Sequence, residues 1–171
     1  MRRRVGTSLY AGLLFTVLGV VAWASGQPFV FPSLGPSAYI LAFDRRGERT
    51  RAYRVVGSHT IGAVAGLGAY WLVAPGITLT TLPPALSTAG LRLAASGVCS
   101  IVATSWAMIA TETNHAPACA TTLIVSLGLL STPLQATIIV ASVVVLVAVH
   151  WLVIRGFRRV VGDTHPVARV E

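Results

Sequence analysis

The chain contains no lysine: all 13 of its basic residues are arginine, set against five acids. Charge of either sign is scarce, at 11% of residues where a soluble domain averages roughly 25%. With 54% of residues hydrophobic, that scarcity excludes an ordinary soluble globular protein and predicts an all-α membrane protein. The few acids form no paired carboxylates near a membrane surface. Without a nucleophile–base pairing or a phosphate-binding glycine loop either, no enzyme is expected. Cysteine is almost absent too. Cys99 and Cys119 both sit in apolar stretches, with neither a disulfide framework nor a C-x-x-C spacing, and read as small packing residues. A zinc-type set of His59, His115 and Cys119 lacks a fourth ligand and any ligand spacing, so neither metal nor cofactor is expected.

The arginines that are present fall in three clusters: Arg2, Arg3 and Arg4; Arg45, Arg46, Arg49, Arg51 and Arg54; and Arg155, Arg158, Arg159 and Arg169. Only Arg92 stands apart. No aromatic-interleaved basic stripe accompanies them, which argues against nucleic-acid binding. Long apolar runs separate the clusters, the pattern of positive-inside loops in a lipid bilayer.

Six apolar segments lie between these marks, at about 9–25, 29–43, 55–73, 93–110, 117–130 and 134–154. A full crossing needs roughly 20 apolar residues, so segments two and five fall short. Segment two is broken by Pro32, Gly35 and Pro36, and segment five starts at Pro117. Reading both as dipping elements gives four spans but strands the five-Arg loop on the outer side. Six crossings, two of them broken, place every arginine except Arg92 in the cytoplasm, with both termini there. Three Arg, an apolar core and Ala22-Trp23-Ala24 also have the pattern of a cleaved secretory signal, but segment one has a counterpart further along.

That counterpart appears when the sequence is shifted by 84 residues. Gly35-Pro36-Ser37-Ala38-Tyr39-Ile40-Leu41 then lies over Cys119-Ala120-Thr121-Thr122-Leu123-Ile124-Val125, two tracts of small residues with a hydroxyl that turn aliphatic. Segments one and four coincide, as do three and six. Three crossings per unit is an odd number, so the expected architecture is two inverted three-segment repeats in a single domain, 1–171. Repeat one spans about 7–75, repeat two about 88–155, and a cytoplasmic basic tail 156–171. In such folds short or Gly/Pro-interrupted segments at matching positions mark the substrate site. A helix of about half the bilayer thickness presents unpaired N–H groups and the positive end of its dipole at its start, which favours an anion. Prolines just before it remove donors and hold the approaching chain extended.

The stretch His115-Ala116-Pro117-Ala118-Cys119-Ala120-Thr121 carries a family resemblance. The chain resembles the HPP family of small integral membrane proteins, whose signature runs close to H-P-P-A-G-A-T-A. His115, Pro117, Ala118, Ala120 and Thr121 match it, while Ala116 and Cys119 depart. A second family stretch near G-G-H is met by Gly57 and His59 with Ser58 between them, and a G-x-S-A tract by Gly35, Ser37 and Ala38. The resemblance covers about 31–130 and implies transport of nitrite, as some cyanobacterial and chloroplast members are regarded as nitrite transporters.

The expectation is therefore transmembrane transport of a small inorganic anion, nitrite or nitrate first, at facing half-helix N-termini near the midplane. Candidate binding residues are Ser33, Gly35, Ser37, Ala38, His59, His115, Pro117, Ala118 and Thr121. Backbone amides around 33–38 and 117–121 would hold the anion, assisted by the Ser37 and Thr121 hydroxyls. His115 reads equally as an anion donor or proton carrier and as a helix cap. Glu112 would face Arg92, face a histidine, or be solvated. His150 would join Trp23, Tyr39, Tyr70, Trp71 and Trp151 in an interface belt, and Gly62 and Gly66 would allow close helix contact. A homo-oligomer is one way for a chain this small to wall a path. The rival class is a membrane scaffold or assembly protein without transport activity.

Overall fold

A computed structural model describes residues 2–45, 47 and 50–161; the expected basic tail lies outside the described residues from 162 onward, as do Arg46 and Arg49. Six helices follow in order: α1 (Arg2–Ser25), α2 (Leu34–Phe43), α3 (Ala52–Val73), α4 (Thr88–Ala110), α5 (Ala118–Ser126) and α6 (Pro133–Val161). No strand occurs among the described residues. Helices α1, α3, α4 and α6 are long and apolar enough to cross a membrane. Helices α2 and α5, with 10 and 9 residues, would each cover roughly 15 Å at 1.5 Å per residue, half of a hydrocarbon core.

Local chemistry sets the ends. Ser87 caps α4 by accepting from Gly90 N at 3.1 Å. Thr132 and Gln135 form a reciprocal box ahead of Pro133 at the first position of α6. Helix α2 starts at Leu34, earlier than the break at Pro36 suggests, because a proline in the first turn forfeits no intrahelical bond. Helix α5 ends at Ser126, short of Leu130. There Gly128, at φ 76°, bonds back to Val125 O and Leu129 N to Ile124 O, a left-handed close that glycine tolerates.

The contacts between helix ends fix their directions. Near one end, the basic end, Tyr10 of α1 bonds His150 of α6, His150 Nε2 meets Arg45 O just after α2, and Tyr53 of α3 donates to Thr111 O after α4. Near the other, Arg92 of α4 donates to Val73 O at the end of α3, Leu79 N to Leu127 O after α5, and Trp71 of α3 to Ser131 O before α6. Helices α1 and α3 thus leave the basic end while α4 and α6 arrive at it. The two short helices begin at a common interior place and diverge, α2 toward the basic end and α5 away from it.

Packing follows the same order. Helix α3 packs against α4, α5 and α6, α1 against α2 and α6, α4 against α5, and α2 against α6. Exchanging α1, α2 and α3 for α4, α5 and α6 leaves this set of neighbours unchanged. The burial register repeats at the 84-residue shift as well. Ser33, Leu34, Ser37, Ala38, Leu41 and Ala42 are buried, and so are Pro117, Ala118, Thr121, Thr122, Val125 and Ser126. Val55, Ser58, His59, Gly62, Ala63 and Gly66 of α3 match Ile139, Ser142, Val143, Leu146, Val147 and His150 of α6 in the same way. The main core joins Leu14 and Leu18 of α1, Leu34 and Leu41 of α2, and Ile139, Val143 and Leu146 of α6. Large apolar side chains such as Leu9, Leu72, Trp106 and Leu152 face outward, where lipid is the solvent.

Candidate anion site at the start of the two short helices

Close approach builds the site. A Cβ on Gly62 would stand 2.8 Å from Ala118 O and 2.7 Å from Thr122 Oγ1, and one on Gly66 would stand 2.8 Å from Thr122 O. With hydrogen in those places, α3 and α5 meet backbone to backbone, so the glycine pair serves packing within the bundle. Ser58 Oγ adds a bond to Thr113 O, pinning the segment that leads into α5.

His59, in the second turn of α3, consequently faces the first turns of both short helices. Its Nε2 lies 3.0 Å from Ser37 Oγ of α2 and its Nδ1 2.7 Å from Thr121 Oγ1 of α5. These two hydroxyls are the residues that the 84-residue shift superposes. One hydroxyl from each half therefore holds one nitrogen of a single ring. Ser37 Oγ is also 3.0 Å from His115 Nε2, and Thr121 Oγ1 donates to Ser33 Oγ at 3.0 Å. The two imidazoles are 5.5 Å apart between centroids. His59 is wholly buried and His115 is 2% exposed. Buried polar groups at membrane depth are costly unless paired, and here each polar atom but one has its partner. The exception is His115 Nδ1, which is buried with no hydrogen-bond partner.

Five of the nine residues singled out from sequence, Ser33, Ser37, His59, His115 and Thr121, thus form one hydrogen-bonded cluster. Ala38, Pro117 and Ala118 are buried around it as small neighbours. Gly35 is only half-buried, and a Cβ there would meet nothing within 4 Å, so its lack of a side chain is not needed for close packing. The backbone amides differ from expectation. Ala118 N donates to His115 O, Cys119 N to Ala116 O and Ala120 N to Pro117 O, so the turn through Pro117 closes on itself in 3₁₀ fashion. Leu34 N likewise donates to Phe31 O. Side-chain hydroxyls and rings, rather than these amides, furnish the donors.

Other expectations move too. Glu112 is exposed near the basic end, with φ 55°, while Arg92 bonds Val73 O at the opposite end, so the two do not meet. His150 is buried between Tyr10 and Arg45 O, a tie between helices and not a belt residue. Tyr70 is also buried, accepting from Gly76 N, whereas Trp23, Tyr39, Trp71 and Trp151 are exposed as a belt requires.

Hydroxyls of α4 and α5 were missed from sequence. Thr104 meets Thr122 at 2.9 Å and Ser96 Oγ donates to Ser126 O at 2.8 Å. The signal was available: Ser96, Ser100 and Thr104 recur every fourth residue, one face of a helix. A cleft of about 230 Å³ opens at the basic end, lined by Arg45, Thr50, Arg51, His150, Trp151 and Arg158 among others.

The family model described as HPP, transmembrane region, matches residues 1–161. The chain belongs to the HPP family. This agrees with the sequence resemblance and with a multi-pass membrane protein whose helices carry few charges. Comparison with curated proteins and with solved structures gives no match. His115 of the HPP signature is thus one of the two rings of the cluster, and its Thr121 is one of the hydroxyls that clamp the other ring.

Proposed function

We propose that this HPP-family chain carries a small inorganic anion across the membrane, nitrite or nitrate first, through the cluster where α2 and α5 begin. The observation that carries the reading is the ring-and-hydroxyl cluster itself: two histidines and three hydroxyls, buried together at the start of two short helices and joined to one another instead of to an ion pair. Hydroxyls donate or accept by rotating about one bond, so Ser33, Ser37 and Thr121 can turn their protons toward an arriving oxyanion. The dipoles of α2 and α5 both have their positive ends there, which favours negative charge.

The opposed directions of α2 and α5, the exchangeable set of helix neighbours and the burial register at 84 residues support an inverted three-segment repeat, with two broken crossings meeting at the site. The described arginines other than Arg92 lie toward one end, which supports cytoplasmic termini. The cleft lined by Arg45, Arg51 and Arg158 would raise the local anion concentration at that mouth. The test is reconstitution in liposomes with nitrite, nitrate and chloride uptake followed in parallel. Nitrite uptake above that of empty vesicles, lost in His59→Val, is the expected result. Folded protein that passes none of these anions would refute transport.

A further inference from the structure

The hydrogen-bond directions inside the cluster bear on what crosses with the anion. Thr121 has a single hydroxyl proton, and its geometry directs that proton to Ser33 Oγ. The 2.7 Å contact between Thr121 Oγ1 and His59 Nδ1 must then be donated by the ring, so His59 carries its proton on Nδ1. Its Nε2 is left with a lone pair, which only the Ser37 hydroxyl, at 3.0 Å, is placed to fill. The carbonyl of Ser33, at 3.2 Å, is the longer alternative for that proton. Ser37 Oγ is in turn free to accept, and His115 Nε2–H supplies the donor at 3.0 Å. A neutral His115 protonated on Nε2 has only a lone pair on Nδ1, and Nδ1 is one of two buried side-chain atoms without a partner among the described residues, the other being Ser126 Oγ of α5 outside this cluster. The chain His115, Ser37, His59, Thr121, Ser33 therefore runs in one direction from a bare lone pair.

We propose that His115 Nδ1 is the loading point for a proton that accompanies the anion, making transport an electroneutral co-transport of one proton per monovalent anion. This rests on the anion reading above. A lone pair repels an anion, so the unpaired Nδ1 takes one only after a proton from the aqueous phase has added to it. Loading itself only adds a proton to a lone pair and breaks no bond in the protein. The added proton makes Nδ1 an N–H donor and the ring an imidazolium, whose single positive charge the anion offsets, and both leave together on the other side. The relay behind it lets the charge spread to His59: Nε2–H passes to Ser37 as Ser37 passes its own proton to His59 Nε2.

Other titratable and charged groups also lie on the surrounding elements. On α1 there is Tyr10, and after α2 Asp44 and Arg45, toward the basic end. On α3 there are Tyr53, which donates to Thr111 O, Arg54 and Tyr70; on α4, Arg92 and the exposed Cys99. Exposed Glu112 precedes His115 in the chain, half-buried Cys119 lies on α5, and His150 on α6 is bonded to Tyr10.

The test uses the intact chain in liposomes with the membrane potential clamped by potassium and valinomycin, a trapped pH dye and direct nitrite assay. Proton and nitrite uptake in equal amounts, faster toward pH 5 than pH 8 and unaffected by the clamped potential, is the expected result. The same traces from empty vesicles are subtracted, so that leakage of free nitrous acid is not counted. His115→Gln retains a donor for Ser37 but cannot take up a proton; it should lose at least tenfold in flux or show nitrite uptake with no matching protons. Nitrite uptake driven by potential without protons would overturn the co-transport while leaving the anion reading intact. Absence of nitrite uptake by folded protein would overturn both. Wild-type stoichiometry in folded His115→Gln would overturn the role of Nδ1 alone.

Discussion

Helices α3 and α6 have corresponding neighbours and bury corresponding positions at the 84-residue shift, yet they present different surfaces. Where α3 has His59, Gly62 and Gly66, α6 has Val143, Leu146 and His150. Ser58 of α3 reaches across to Thr113 O, whereas its counterpart Ser142 turns back to Ile138 O of its own helix. The small face of α3 admits α5 to backbone contact and leaves a polar ring between the two short helices. The aliphatic face of α6 fills the equivalent space with methyl groups and joins α2 in the core. One register of burial thus supports either a site or a frame, and side-chain size decides which.

Exchanging residues between the two helices tests this contrast. Gly62→Leu, which installs the residue α6 carries at that place, drives a side chain into Ala118 O and Thr122. Overpacking against backbone should cost about 3 kcal/mol or more, read as loss of the monodisperse folded peak in detergent chromatography. Leu146→Ala on the other helix opens a cavity in the wholly buried core and should cost about 3 kcal/mol, seen as a lower unfolding midpoint, while nitrite uptake per folded molecule is retained. His59→Val makes the site helix resemble the frame helix and leaves Ser37 and Thr121 without their shared ring. A stability loss of about 2 kcal/mol is expected from the unpaired hydroxyls, with uptake falling to the level of empty vesicles. Smallest is Tyr10→Phe, which removes the hydroxyl that meets His150 Nδ1; about 1 kcal/mol is expected, with uptake unchanged. Equal effects of Leu146→Ala and His59→Val on uptake per folded molecule would erase the distinction between site and frame.

Much of this was legible along the chain because membranes leave few options. Hydrocarbon demands long apolar helices, charge is confined to their ends, and Gly and Pro mark where a crossing breaks. The six segments, the short second and fifth among them, followed from those rules, and the 84-residue shift even aligned Ser37 with Thr121. His115 and His59 stood out since an ionisable side chain inside a membrane is costly without a role.

What the sequence could not fix was which atoms pair. The amides after Pro117 looked free by the general rule for helix starts, but a 3₁₀ turn satisfied three of them. For Glu112 the sequence left open Arg92, a histidine or solvent; it is exposed near the basic end, while Arg92 lies toward the other. The sequence by itself determined the helices, their order and the presence of scarce polar residues at broken segments, because those depend on solvation along one chain. Only the tertiary structure decided that residues 33, 37, 59, 115 and 121 share one chain of hydrogen bonds and that a single ring nitrogen is left over. Hydrogen bonds are short and directional, so their pattern depends on how closely glycine lets α3 and α5 approach, a distance set by three-dimensional packing alone.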